Sequence, residues 1–283
     1  MEASDVDWFD ETYGDRMRFG LRLKRTLFHA QSEFQSVDIV ESELFGKALA
    51  LGGTWQTSVG DEHFYHEMLV HPALTTAPKI ARVLVIGGGD GGTVREVLRY
   101  PEVEAVTMVE LDKLVTDACR EHMPEFNVPW DDPRLTLLFR DGVAFLKEAG
   151  PTYDVVLLDG PDPVGPAAGL FQSPFYEAAK RRLSPDGVFA TQSESPVAMR
   201  QEFLLFVKAL RSTFERVRPY FGPVPIYPSG SWSWTFASQS VDPLALIERR
   251  LAVAEAHCRY YNRDIHRAAF AVPSEIARAL AAK

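Results

Sequence analysis

The sequence predicts an α/β protein: a doubly wound, mostly parallel sheet preceded by a small antiparallel β domain. Three observations carry this. Residues 82–112 read RVLVIGGGDGGTVREVLRYPEVEAVTMVELD. That is an apolar run, a glycine cluster, a helical stretch and a second apolar run ending on Glu110, the form of a βαβ nucleotide-binding unit. From Lys79 onward strand-like and helix-like segments alternate, as in a parallel sheet with helices on both faces. Residues 22–59 instead hold short β-type segments with a Gly52-Gly53 turn signal.

Taken in order, residues 1 to about 20 are expected to be irregular or loosely attached. LKRTLFHA, FQSVDIVES and GKALALGGTWQTSV form two or three hairpins. They are too few for a generous core, so this unit packs on the main domain or on a partner subunit. DEHFYHEMLVHPALTTAP reads as a helix starting near Asp61 and ended by Pro78. Residues 1–75 are thus expected to be a β domain with a connecting helix, and residues 76–283 the α/β domain. After the opening βαβ unit come a helix at LDKLVTDACREHM and a strand at RLTLLF, then a helix at VAFLKEA and a strand at YDVVLLD. A helix at SPFYEAAKRRL and a strand at GVFATQ follow, then a helix striped by Phe203, Phe206, Val207 and Leu210. SWSWTFAS is a late strand and PLALIERRLAVAEA a late helix.

Composition narrows the function. A 46% hydrophobic and 24% charged content is that of an ordinary globular protein. The net charge of −9 disfavours nucleic acid or an anionic membrane as a partner. Two cysteines, Cys119 and Cys258, form no framework, and CxxC and HExxH patterns are absent, so no metal is expected. The acidic start MEASDVDWFDETYG lacks a signal-peptide core, and no apolar run reaches membrane-spanning length; the expectation is a cytoplasmic protein.

Asp90 is the informative oddity of the glycine turn. A carboxylate there would face a pyrophosphate, anion against anion, which argues against a dinucleotide. It suits a nucleoside with a cationic tail, S-adenosylmethionine or a relative. Ligands of such sheets bind beyond the carboxyl ends of the strands. The residues expected there are Asp90, Glu110, Asp141 (with Gly142 opening a helix), Asp159, Asp162 and Gln192. So many acids in one crevice require cations to enter it. The Pro- and Gly-rich loop 159–166 carries Asp159 and Asp162 three apart, able to hold ammonium groups or to take a proton. Tyr65 and Tyr227 offer hydroxyls or aromatic faces to a cation, and His66 is the alternative base.

The stretches SEFQSV, DEHFYHEML, VIGGGDGGTVREVLRY, MVELD, DDPRL, RDGVAFL, YDVVLLDGPDPVGPA, LFQSPFYEAAKRRL, GVFATQSESP, YPSG and RYYNRDIHRAAFAVP resemble the polyamine aminopropyltransferases, the spermidine synthase family. The resemblance runs from roughly residue 21 to residue 272. It implies a Rossmann-like, class I methyltransferase-like domain behind an N-terminal β domain, and a homodimer or homotetramer. It implies decarboxylated S-adenosylmethionine as co-substrate, no other cofactor, and a di- or polyamine acceptor, usually putrescine. By the same motifs Asp90 contacts the donor's amine, Glu110 its ribose and Asp141 its adenine. Asp159 is the general base and Asp162 holds the acceptor amine. Gln56, Tyr65, His66, Gln192 and Tyr227 complete the two sites. The chain departs from the family pattern at Gly52, at Val59-Gly60, and at Trp55, His63 and Ala168, near the expected acceptor pocket or its lid. Cadaverine, agmatine and spermidine are therefore alternative acceptors. A methyltransferase, a polyamine-binding sensor and, most distantly, a nicotinamide dehydrogenase are the competing readings. Asp90 opposes the first and third, and the presence of Asp159 opposes the second.

Overall fold

A computed structural model describes residues 7–13, 16–161 and 169–281. Its first sheet is an antiparallel meander of β1 (Trp8–Tyr13), β2 (Met17–Gln31), β3 (Ser36–Ser42), β4 (Gly46–Leu51) and β5 (Thr54–Ser58), in that order. The glycine turn joins β4 to β5, with Gly52 and Gly53 at φ of 58° and 84°, the doubly left-handed form of a two-residue hairpin. The expectation of an irregular N-terminus is corrected here. β1 and the start of β2 pair in unbroken register from Trp8↔Arg22 to Tyr13↔Met17. Asp10 and Glu11 give β1 a poor strand propensity, and pairing with β2 overrides it.

Helix α1 (Glu62–Leu74) follows. All of it except Phe64 is buried, so it has no amphipathic stripe, and it ends before Pro78, with Thr75 as its cap. It packs against α2 (Gly92–Leu98) and the second sheet.

That sheet contains β6 (Arg82–Gly87), β7 (Ala105–Glu110), β8 (Leu135–Phe139), β9 (Tyr153–Asp159), β10 (Leu183–Gln192), β11 (Arg216–Pro223) and β12 (Ser231–Ser238). Its order is β11-β12-β10-β9-β6-β7-β8. The five strands from β10 to β8 are parallel, and β12 and β11 close the other edge antiparallel. Between them run α3 (Lys113–His122), α4 (Gly142–Lys147), α5 (Ser173–Arg182) and α6 (Arg200–Arg211). The predicted stripe of α6 is fully engaged in the core. After β12 come α7 (Glu248–His257), α8 (Arg263–Ala269) and α9 (Ser274–Ala281). Neither β11 nor the last two helices was expected. Pro219, Gly222 and Pro223 mask β11, and α8 and α9 are too short for periodicity to show.

Every residue of β9 is buried, as suits a central parallel strand. The chain leaves β6 toward β7 on one side and returns to β9 on the other. The switch point therefore falls between β6 and β9, where a crevice opens at the strands' carboxyl ends. Among the described residues no helix is long and apolar enough to cross a membrane.

Candidate active site

The crevice is a cavity of about 320 Å³. The glycine turn forms its floor. Gly87 pairs with Asp159 in the β6–β9 register, and Gly88 N–H donates to the Asp159 carbonyl at 2.9 Å. A Cβ at Gly87 would lie 2.1 Å from that oxygen, and its φ is +82°. Only glycine permits this approach, which seats the turn against the end of β9.

Asp90, Glu110, Asp141, Gly142 and Asp159 all line this cavity, as do Gln56, Tyr65 and Tyr227. Asp112 adds a fifth carboxylate, and no lysine, arginine or histidine joins them among the described residues. Gln192 lies in a smaller adjoining pocket with Trp55, Tyr13 and Trp232, which shares Gln56, Tyr65 and Tyr227 with the cavity. Asp162 lies outside the described residues, as does Ala168. His66 does not line the cavity; it sits behind Asp90.

Asp159 is held on both oxygens. The Tyr65 hydroxyl donates to Oδ1 at 2.8 Å and the Thr93 hydroxyl to Oδ2 at 2.6 Å. Burial raises its pKa above the ordinary aspartate value and the neighbouring Asp90 charge adds to this, while His66 and the two hydroxyls oppose it. A raised carboxylate in a fixed orientation suits proton transfer. Tyr65 is itself held as a neutral hydroxyl, because burial and Asp159 push its pKa up.

Asp90 Oδ1 accepts the Gly92 N–H at 2.7 Å and lies 3.3 Å from His66 Nε2, an ion pair. Burial would raise its pKa, but His66 and the Gly92 amide outweigh burial and hold it below the usual value. Glu110 Oε1 accepts the Asp112 N–H at 2.8 Å. Its carboxyl is raised to about 7, by burial first and then by Asp112 and Asp159. Asp141 caps α4, accepting from Val143 N–H at 2.7 Å, and still faces the cavity. The Tyr227 hydroxyl donates to the Gln56 carbonyl at 2.7 Å, and the turn before it is tied to α1 by Ile226 N–H on Asp61 at 2.7 Å. Gln192 Oε1 accepts the Glu194 N–H at 2.8 Å, which fixes its amide.

Sequence reasoning missed several of these groups. Thr93 follows the glycine turn directly, where a hydroxyl beside a strand-end acid was a legible signal. Phe34 and Gln35, from the β2–β3 turn, roof the cavity. Ser32 on that turn donates to Asp112 at 2.6 Å, clasping the first sheet to the second. Glu11 on β1 is buried and accepts the Trp55 N–H at 3.1 Å, placing another carboxylate behind the smaller pocket. Elsewhere His71, Glu96 and Cys258 bring metal-type ligand atoms within 4.8 Å of one another. His71 is already bonded to Tyr100 and Glu96, and the guanidiniums of Arg95 and Arg99 on Glu96 oppose a cation there.

Comparison with known proteins supports the family and the fold. Residues 62–245 match the spermine/spermidine synthase domain and residues 7–58 the spermidine synthase tetramerisation domain. A polyamine aminopropyltransferase of Prochlorococcus marinus (strain MIT 9313) is 45% identical over 280 residues, 96% of each chain. One of Methanocaldococcus jannaschii is 41% identical over 266 residues, 93% of this chain and 91% of the relative. A crystal structure of spermidine synthase in complex with the transition state analogue AdoDATO is similar at a TM-score of 0.94 and 35% identity, covering 98% of this chain and 96% of that one. Spermidine synthase from Thermotoga maritima is similar at 0.91 and 34%, covering 98% and 95%. Matched by both family domains and alike over nearly its whole length to these relatives, this chain belongs to the spermine/spermidine synthase family of polyamine aminopropyltransferases.

Proposed function

We propose that this enzyme moves the aminopropyl group of decarboxylated S-adenosylmethionine onto a linear diamine, putrescine first, giving spermidine and methylthioadenosine. One observation carries the reading: five carboxylates and no cationic side chain line a single cavity among the described residues. A sulfonium nucleoside and an alkylammonium supply the missing positive charge.

In this reading Glu110 accepts from the ribose hydroxyls, Asp141 from the adenine amine and Asp90 from the donor's ammonium. Gln56, Tyr65 and Tyr227 stand where the cavity meets the smaller pocket, the position of the attacking nitrogen. The acceptor arrives as an ammonium and must lose a proton before it attacks. Asp159 takes that proton, directly or through water. The nitrogen lone pair then forms a bond to the carbon beside the sulfonium, the C–S bond breaks, and its electrons leave sulfur neutral. Tyr65 and Thr93 hold the base in one orientation, so most of the remaining acceleration is alignment of the two substrates. The smaller pocket is walled by Trp55, Tyr13, Tyr227 and Trp232, narrow and aromatic, which favours an unbranched methylene chain with a cation at its end. Gln192 and Asp162 complete the acceptor side. The first sheet assembles the chain as a homodimer or homotetramer, a reading supported by its match to the tetramerisation domain.

The test is mass analysis after incubation with decarboxylated donor and a panel of putrescine, cadaverine, agmatine and spermidine. The expected products are spermidine and methylthioadenosine from the putrescine reaction, at the highest rate of the panel. A faster reaction with another amine would overturn the acceptor assignment. No aminopropylated product at any pH would overturn the whole reading.

A further inference from the structure

Behind the cavity wall lies a chain of buried charges that the reaction above does not use. Arg95 on α2 donates to Glu62 Oε2 at 2.7 Å. The same oxygen lies 2.8 Å from His66 Nδ1, one turn along α1. His66 Nε2 in turn lies 3.3 Å from Asp90 Oδ1. The side chains of His66 and Glu62 are 1% and 8% exposed, so water does not screen these contacts. The ring is seated without slack: a Cβ on Gly92 would fall 2.3 Å from His66 Cε1.

We propose that Glu62 and Arg95 are positioning residues for the donor's amine. Arg95 fixes the Glu62 carboxylate, Glu62 fixes the His66 ring as a doubly donating imidazolium, and the ring holds Asp90 by Oδ1, leaving Oδ2 for the ligand. This rests on the reading that Asp90 receives the donor's ammonium.

The physical need is plain. The Asp90 charge raises the Asp159 pKa, and a cation behind Asp90 keeps Asp90 ionised beside that second acid. An imidazolium outside the cavity offsets that repulsion without occupying the ligand's place. The charged groups facing His66 are Asp61 and Glu62 at the start of α1, Asp90 on the glycine turn, Arg95 on α2 and Asp159 at the end of β9; Phe126 covers an edge of the ring. Burial lowers the ring's pKa, but Asp90 and Glu62 outweigh it and leave it well above the ordinary value. His66 is therefore a fixed cation, not a base in waiting.

The experiment pairs nitrogen NMR of ¹⁵N-histidine protein with steady-state kinetics. In the parent, both His66 nitrogens should stay protonated through the range where an ordinary histidine, near 6.5, loses its charge. A neutral His66 there overturns the proposal without any variant. In Glu62→Gln the titration should fall into that range and the KM for donor should rise about 10- to 100-fold, the worth of a charge-assisted contact. The KM for acceptor and kcat at saturating donor should change less than about threefold. Arg95→Met should act in the same direction and Arg95→Lys should restore most of the loss. Equal rises in both KM values, or no rescue by lysine, would mark the cluster as packing alone. Asp90→Asn is the control on the underlying reading. If it leaves donor affinity unchanged, Asp90 does not hold the amine, whatever His66 does.

Discussion

Two groups of buried carboxylates stand a few ångströms apart in this fold and are built on opposite plans. Between α1 and α2, each acid has its cation. Glu96 is held by His71 at 3.1 Å, Arg95 at 2.8 Å and Arg99 at 2.6 Å, and Glu62 by His66 and Arg95. Along the cavity, Glu110, Asp112, Asp141 and Asp159 meet amides and hydroxyls but no lining cation among the described residues. The first group carries its own counter-charges, and its contribution is to stability. The second is left short of positive charge, and that shortage is what selects its ligands. Asp90 belongs to both plans: it lines the cavity and its Oδ1 lies 3.3 Å from His66.

The largest expected effect breaks the unbalanced side. Asp159→Asn keeps the shape and cannot accept a proton, so kcat should fall about 10²–10⁴-fold. Raising the pH supplies neutral amine and should restore part of the rate. A pH–rate profile of mutant and parent checks this, and a near-parental rate at neutral pH would remove Asp159 as the base.

Breaking the balanced side should cost stability instead. Glu96→Ala leaves Arg95, Arg99 and His71 facing an empty place and should destabilise the fold by about 3–5 kcal/mol. Urea unfolding measures it. Glu96 and Glu62 are both held below their ordinary values: burial opposes this, and the histidines and arginines prevail. Groups depressed in the folded state contribute stability above their unfolded pKa, roughly 4.3 for Glu. That contribution should disappear as pH falls, for Glu62 toward about 2.

The smallest effect sharpens the contrast by pH. Glu110 titrates at about 7 in the free enzyme, since burial and neighbouring acids raise it. A group raised in the folded state loses its contribution to stability as pH rises from about 4.3 through about 7. Donor affinity runs the other way, because only the ionised carboxylate accepts from both ribose hydroxyls. Calorimetric titration should show about tenfold tighter donor binding at about pH 8 than at about pH 6. Glu110→Gln should flatten that dependence; an unchanged slope would place the titrating group elsewhere.

How much of this was legible in the sequence follows the same division. Asp90, Glu110, Asp141 and Asp159 each end a strand or sit in the glycine turn, so local pattern placed them at the crevice mouth. The partners that give them their properties are non-local. Nothing in the text of the chain ties Tyr65 to Asp159, 94 positions away, or Arg95 to Glu62. His66 read as an alternative base, because an i,i+4 acid alone does not announce the burial and paired charge of its place behind Asp90. The roof from Phe34 and Gln35 was hidden because it depends on how the first sheet leans on the second. The loop carrying Asp162, read from its prolines and acids, falls outside the described residues.

The pairing of Gly87 with Asp159 has a consequence in time as well as in space. Asp159 meets the glycine turn only when two strands with two other strands and three helices between them in the chain have found each other. Thr93, which donates to Asp159, is 66 positions from it, and Tyr65 lies further off. Such long closures come late and slowly. A nascent or clipped chain ending before β9 can therefore hold a glycine turn but not the crevice that β6 and β9 form together. Once the last closure is made, bound donor favours the completed fold by mass action. The crevice is thus completed by the pairing of β6 with β9, the end of which brings Gly87 to Asp159.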